Sequence, residues 1–135
     1  MSRSVMEVVE GKAVYNGRPL AHWAPDVIQR VFERTDALRV VVFGSVQRGD
    51  DGPDSDIDLL VVLPRVTRRH ADAVRVLRQL RDLPVPVEVI VVDDGLLERE
   101  SHVPGVVRVA LREGRTVERA AWPPRGRRAL AALGD

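Results

Sequence analysis

The residues best suited to chemistry lie in one short stretch, 41–63, which reads VVFGSVQRGDDGPDSDIDLLVVL. An apolar run ends at Gly44 and Ser45, a turn rich in glycine and aspartate follows, and Asp56 and Asp58 open a second apolar run. Side chains alternate along a strand, so two carboxylates two residues apart point to the same face. Because such neighbours disfavour each other's ionisation, a divalent cation would resolve the conflict. The stretch therefore predicts a metal and phosphate site.

Gly44 and Ser45 have the chemistry of a phosphate contact. Glycine lets a backbone approach a phosphate closely, and the serine supplies a hydroxyl and an N–H at a helix start, where the dipole favours anions. By themselves the two residues are more typical of a strand-to-turn glycine followed by a serine N-cap. Their place beside Asp56 and Asp58 favours the phosphate interpretation. We expect Gly44 to lie at a turn outside the core.

Two further charged residues are candidates for the same site. Glu88 interrupts a third apolar run, 85–92, where it could complete a metal site, remain solvated on its strand, or pair with a nearby arginine. Arg48 could reach a phosphate with its planar guanidinium, or form an exposed ion pair with Asp50 or Asp51.

The elements that must position these residues follow from the apolar patterns. Core strands are predicted over 38–43, 59–63 and 85–92. Helices are predicted from Pro25 to about Asp36, over 68–83 as the longest, over 96–100, and over 106–112 with Gly114 as C-cap residue. In the longest helix the predicted apolar stripe is Ala73, Val74, Leu77 and Leu80, and Asp72 is placed on the opposite, solvated face together with Arg69, Arg75 and Arg78.

The outer segments carry weaker patterns. Residues 6–20 predict a small β-hairpin with turn signals at Gly11 and at Asn16-Gly17. Residues 116–117 predict an edge strand, and the tail, about 120–135, combines a proline-rich turn with a weak terminal helix.

Connection lengths predict how the core strands run. A tight turn joins the first strand to the second, which favours an antiparallel pair, whereas a long helix joins the second to the third, which favours a parallel crossover. The end of the first strand (Gly44) would then meet the beginnings of the second (Asp58) and of the third (Glu88).

Composition limits the class of protein. The chain has 135 residues, 44% of them hydrophobic, which suits a single domain with one core over 1–135. It has no cysteine, which excludes a disulfide scaffold, and no apolar stretch near the ~20 residues of a membrane span. We expect a cytoplasmic protein with no membrane partner. A net charge of +1 gives no general attraction to nucleic acid, and homo-oligomerisation stays open.

The segment FGSVQRGDDGPDSDIDLLV, followed by an acidic residue in a later apolar strand, resembles the polymerase-β-type nucleotidyltransferase superfamily. More narrowly it is similar to the minimal nucleotidyltransferases, which are often encoded beside a helical HEPN-type partner as a toxin–antitoxin pair. The resemblance, over about 38–114, implies an α/β (α+β) fold with a mixed sheet flanked by helices. It implies that Gly44, Ser45 and Arg48 bind nucleotide, and that Asp56, Asp58 and Glu88 hold metal and carry catalysis. The family usually has Asp at the third position.

The resemblance also implies an activity. We expect a nucleotidyltransferase that uses Mg²⁺ or Mn²⁺ and moves AMP from ATP to a hydroxyl on a HEPN-type toxin, in an antitoxin role. Two alternatives remain open: transfer to a small molecule such as an aminoglycoside, and a catalytically weak module that neutralises a partner by binding it.

Overall fold

The computed structural model describes residues 5–122. These residues form two β-sheets, five α-helices and two short 3-10 helices. The strands are β1 (Met6–Val9), β2 (Lys12–Tyr15), β3 (Arg18–Pro19), β4 (Arg39–Phe43), β5 (Ile57–Val62), β6 (Val87–Val92) and β7 (Arg115–Glu118). The helices are α1 (Ala24–Arg34), α2 (Gly44–Arg48), α3 (Arg69–Arg78), α4 (Asp94–Ser101) and α5 (Val106–Glu113).

The main sheet has four strands in the order β6-β5-β4-β7. Strand β5 runs antiparallel to β4 and parallel to β6, and β7 pairs antiparallel with β4 at the far edge. The predicted strand directions are therefore confirmed, as is the predicted fold class of a mixed sheet flanked by helices. Only the single turn of α2 and a polar loop separate β4 from β5, which leaves room for nothing but an antiparallel pair.

Helices cover both faces of this sheet, which explains its continuous apolar strands. Alternate residues of β4, Val40 and Val42, pack with α1 and α3 in the larger core cluster. Val41 and Phe43 pack on the other face against α5, where Val107 is also buried. Among residues 5–122, no helix is long and apolar enough to cross a bilayer.

The N-terminal residues form a separate antiparallel sheet in the order β1-β2-β3. Both of its turns contain two residues with positive φ, Glu10-Gly11 and Asn16-Gly17, as type I′ hairpin turns require. A 3-10 helix, Leu20–Trp23, leads from this sheet into α1. The indole N–H of Trp23 donates to the Tyr15 carbonyl at 3.1 Å, so the small sheet is fastened to the start of α1.

The prediction of a helix over 68–83 is wrong in its length and in the placement of Asp72 on its solvated face. Helix α3 ends at Arg78, and α1, with 11 residues, is longer. Beyond Arg78 the amides of Gln79 and Leu80 bond three residues back, so the chain tightens into turns before Pro84.

Asp72 is buried rather than solvated, at 3% exposure. Its carboxylate accepts the backbone N–H groups of Thr67 and Arg68 and pairs with Arg75. It therefore closes the turn before α3, a role that helical periodicity does not reveal. Arg69 is not simply solvated either, because it forms a two-pronged ion pair with Glu100. The helix predicted in the C-terminal tail lies outside the described residues.

Candidate active site

The three predicted carboxylates lie at the start of β5 and β6. Asp58 is directly opposite Glu88 in the parallel pair and opposite Phe43 in the antiparallel pair. By strand alternation Asp58 and Glu88 share the face of the sheet that packs against α5. Asp56 precedes β5 and is half-buried, as is Asp58, whereas Glu88 is exposed on the edge strand β6.

The pKa of Asp58 is raised by burial and by the neighbouring carboxylates. Burial, then a hydrogen bond with Glu88 and the negative charges of Glu88 and Asp56, raise the pKa of Asp58 to about 6. The positive charge of Arg48 opposes this rise but is the smallest influence. A proton, or a cation in its place, therefore stabilises this corner of the sheet.

Gly44 is placed against Asp58 by the end of β4. It is buried and has φ +79°, a conformation that residues with a side chain rarely adopt. A Cβ atom at this position would overlap Asp58 Oδ2 and lie 2.9 Å from its Cγ. Gly44 is buried, so the expectation that it lies outside the core is wrong, and its missing side chain leaves room for the half-buried Asp58 carboxylate.

Ser45 is held by the loop that joins α2 to β5. Its hydroxyl donates to the Ser55 hydroxyl at 3.0 Å, and Ser55 also accepts the Gly52 N–H at 2.8 Å. The Ser45 carbonyl accepts the N–H groups of Gly49 and Asp50. Ser45 thus stands at the candidate phosphate position and also fixes the course of the loop.

Arg48 is paired with two acidic residues. It donates to Asp50 at 3.2 Å and to both oxygens of Glu113, the last residue of α5, at 3.0 and 3.3 Å. Of the two aspartates considered from sequence, Asp50 is the partner, and Asp51 is not. The same Glu113 Oε1 accepts the backbone N–H of Gly44 at 3.1 Å.

Asp51 belongs to a contact between the loop and the N-terminal sheet. Its side chain is 3% exposed and accepts from Lys12 Nζ at 3.1 Å, while the same ammonium donates to the Gly49 carbonyl. Tyr15, also on β2, lies close enough for Asp56 and Asp54 to raise its pKa, after the larger effect of burial. The small sheet therefore borders the aspartate loop.

The chemistry of the donor set suits a hard divalent cation. Asp56, Asp58 and Glu88 offer carboxylate oxygens, the ligands that magnesium prefers, and Asp58 and Glu88 already interact. Within residues 5–122, no group of three or more His, Asp or Glu side chains is arranged to hold a metal ion. Magnesium commonly takes one or two carboxylates and completes its shell with water and substrate phosphates, so a pair is sufficient.

Sequence reasoning missed Glu113, Lys12 and Ser55 as residues around the site. Lys12 is the one lysine beside twenty arginines, which is a weak signal of a special position. Glu113 carries no local signal, because it is 69 residues from Gly44 in the chain.

A cleft of about 530 Å³ lies elsewhere, lined by residues that include Thr35, Leu63, Arg65 and Val76. Leu63 follows the end of β5, whereas Asp58 is near its beginning, so five residues of strand, or roughly 16 Å, separate the cleft from the carboxylates. Of the three carboxylates, Glu88 is exposed on an edge strand, whereas Asp56 and Asp58 are half-buried.

Comparison with known proteins places this chain in a family. Residues 26–117 match the family model described as a nucleotidyltransferase domain. The chain is also similar to the crystal structure of a "putative nucleotidyltransferase" from Sulfolobus solfataricus, with 29% identity, coverage of 59% of this chain and 72% of that chain, and a TM-score of 0.47. No match was found among curated proteins.

Proposed function

The chain belongs to the nucleotidyltransferase domain family, and we propose that it transfers AMP from ATP to a hydroxyl group on a protein partner. The observation that carries the proposal is the meeting of Asp58, Glu88 and Gly44 at one corner of the sheet, on the face that packs against α5. Nucleotidyl transfer needs carboxylates for a divalent cation next to backbone groups that a phosphate can approach, and this corner supplies both.

Asp56, Asp58 and Glu88 are the residues that would hold Mg²⁺ or Mn²⁺. The raised pKa of Asp58, to about 6, supports this assignment, because burial first and then the hydrogen bond and negative charge of Glu88 disfavour the ionised form, a cost that a bound cation would lower. When bound, the cation would neutralise charge on the triphosphate and favour ionisation of the acceptor hydroxyl.

The remaining roles belong to the protein's own groups. The Gly44 N–H, the Ser45 hydroxyl and the Arg48 guanidinium would bind and orient the phosphates. The acceptor oxygen forms a bond to the α-phosphorus while the bond from that phosphorus to the bridging oxygen breaks, and pyrophosphate leaves. Glu88, as the exposed carboxylate of the set, would accept the proton of the attacking hydroxyl.

The position of Glu88 supports an acceptor delivered by another protein. Strand β6 is at the edge of the main sheet and Glu88 is exposed there, so a hydroxyl on an approaching surface could reach it. The cleft of about 530 Å³ lies at the other end of β5 and offers no acceptor pocket beside Glu88. With the resemblance to minimal nucleotidyltransferases, this favours a HEPN-type toxin as acceptor, a tyrosine hydroxyl being one such group.

The proposal is tested by incubating the protein with a candidate HEPN-type partner, ATP and magnesium, and weighing the partner by mass spectrometry. We expect a mass increase equal to one AMP group. Glu88→Gln keeps the size of the side chain but removes its charge, so transfer should fall at least ~10²-fold while ATP binding survives. Glu88→Asp, which restores the carboxylate usual in the family, is the matched control and should retain activity.

One alternative function has a specific observation in its favour. The Gly44 N–H and Arg48 are both occupied by Glu113, as they would be in a module that neutralises its partner by binding alone. A partner that is inhibited in a tight complex, with unchanged mass, would overturn the transferase proposal and support the binding module.

A further inference from the structure

Glu113 joins two anion-binding donors of the proposed nucleotide site, the Gly44 backbone N–H and the Arg48 guanidinium. Its Oε1 atom is 3.1 Å from the Gly44 backbone nitrogen and 3.0 Å from Arg48 Nη1. Its Oε2 atom is 3.3 Å from the same guanidinium nitrogen. A backbone N–H and an arginine that share one anionic acceptor make the same pattern of contacts that a phosphate oxygen would make there.

The position of this carboxylate follows from how α5 ends. Gly114 follows Glu113 and lies so close to β4 that an added Cβ would be 2.5 Å from Val41 Cγ1 and 2.9 Å from the Val42 carbonyl oxygen. This close packing brings the last residue of α5 next to the end of β4, which Gly44 follows directly. The Glu113 side chain is 24% exposed and reaches from the end of α5 to Gly44 and Arg48 of α2.

We propose that Glu113 occupies the place of a nucleotide phosphate in the nucleotide-free protein and must be displaced when a triphosphate binds. This inference rests on the proposed function, since it concerns the nucleotide which that function requires. A carboxylate and a phosphate compete for the same donors, and two anions cannot share them without strong repulsion. Glu113 is therefore a residue that sets nucleotide affinity by competition, and it is distinct from the carboxylates that would hold metal.

The competition has a defined thermodynamic consequence. The protein binds triphosphate only in the fraction of molecules in which Glu113 has left the Gly44 N–H and Arg48, so the apparent dissociation constant is raised by the inverse of that fraction. Weakening the Glu113 contact enlarges this fraction. Affinity for a ligand that does not use these two donors stays unchanged.

The test compares wild type with Glu113→Gln by calorimetry in magnesium. The probes are ATP, inorganic tripolyphosphate and adenosine. The neutral amide binds Arg48 more weakly than the carboxylate does, so ATP and tripolyphosphate should bind roughly 3- to 10-fold more tightly, and adenosine should be unaffected. Glu118→Gln is the matched control: it removes the same charge from β7, where Glu118 pairs with Arg39, and should leave all affinities unchanged.

A second measurement uses the wild type alone. The amide resonance of Gly44 in ¹⁵N NMR spectra should shift when ATP saturates the protein, because its acceptor changes from carboxylate to phosphate. An unmoved Gly44 resonance at saturation, or ATP binding by Glu113→Gln that is equal or weaker, would overturn this inference while leaving the proposed function intact. Failure of both proteins to bind ATP would overturn the two together.

Discussion

Gly44 leaves the space that the Asp58 carboxylate occupies. Its φ of +79° turns the chain out of β4, and the space that a side chain would fill is taken by Asp58. Gly49 at the end of α2 has almost the same backbone, φ +82°, but nothing lies within 4 Å of its absent Cβ. Comparing substitutions at the two glycines therefore separates the free-energy cost of a side chain in this backbone conformation from the cost of its steric clash with Asp58.

Alanine substitutions at the two glycines should have different effects. Gly49→Ala should cost about 1–2 kcal/mol of unfolding free energy, from left-handed strain alone. Gly44→Ala should cost about 1–3 kcal/mol more, because its methyl group must push the Asp58 carboxylate aside. Urea unfolding curves of the two variants measure the difference, and equal losses would show that Asp58 is not packed against Gly44.

Asp58 should also make stability depend on pH in the absence of divalent cations. Its pKa is about 6 in the folded protein against 3.8 for an ordinary aspartate, so the folded state binds more protons between these values. The contribution to stability is thus fully present below about pH 3.8 and is lost as the pH rises through about 6.

The measurement is the free energy of unfolding in EDTA between pH 4 and 8, for wild type and for Asp58→Asn. Relative to the variant, wild type should lose stability as the pH rises through about 6. Added magnesium should restore the loss at pH 7.5. If the difference in unfolding free energy between the two proteins does not change with pH, the pKa of Asp58 is not raised in the folded state.

The N-terminal sheet acts as an element that braces the loop before Asp56. Lys12 on β2 reaches across to Asp51 and to the Gly49 carbonyl, and the Asp51 side chain is almost fully buried. The loop therefore depends on a sheet that is far from it in sequence and outside the four-stranded sheet that carries the carboxylates.

Lys12→Met should lower the free energy of unfolding by about 1–3 kcal/mol, since it leaves a buried carboxylate without its donor. It should also weaken ATP binding. The loop that Lys12 holds contains Ser55, whose hydroxyl accepts from Ser45 of the proposed phosphate site. Lys12→Arg keeps the positive charge and is the control. Denaturant titration and calorimetry would detect both effects, and a Lys12→Met protein with unaltered stability would rule out the brace.

At the scale of the whole molecule, the sheet separates two regions of different character. One face packs against α1 and α3, and the other packs against α4 and α5 and carries Asp58, Glu88 and the Glu113 contact at one end. Because the carboxylates are part of the packed sheet, a ligand bound to them stabilises the entire fold.

Magnesium and ATP together should therefore raise the melting temperature of the wild type. At a ligand concentration 100 times the dissociation constant, the gain in unfolding free energy is about 2.7 kcal/mol. Asp58→Asn should lose most of this gain, and magnesium-free ATP should give little of it. An equal shift of the melting temperature in the variant would place the nucleotide away from Asp58.

Local patterns in the sequence were sufficient for the strands, their directions and the shared end of Gly44, Asp58 and Glu88. Apolar runs mark strands, and the lengths of the connections decide whether neighbours run parallel or antiparallel. These features follow from continuous apolar runs and from the lengths of the connections between consecutive strands, both of which are read directly from the sequence.

Tertiary structure alone decided which charged groups meet. The Glu113 contact with Gly44, the Lys12 contact with Asp51 and the burial of Asp72 each depend on packing or side-chain geometry that no periodicity encodes. Periodicity likewise did not reveal that α3 ends at Arg78. The structure shows the end because the amides of Gln79 and Leu80 bond three residues back instead of four. The sequence by itself determined which groups are available for chemistry at this corner of the sheet, and folding determined which of them hold one another, because ion pairs between distant residues form only after the sheet and helices have brought them together.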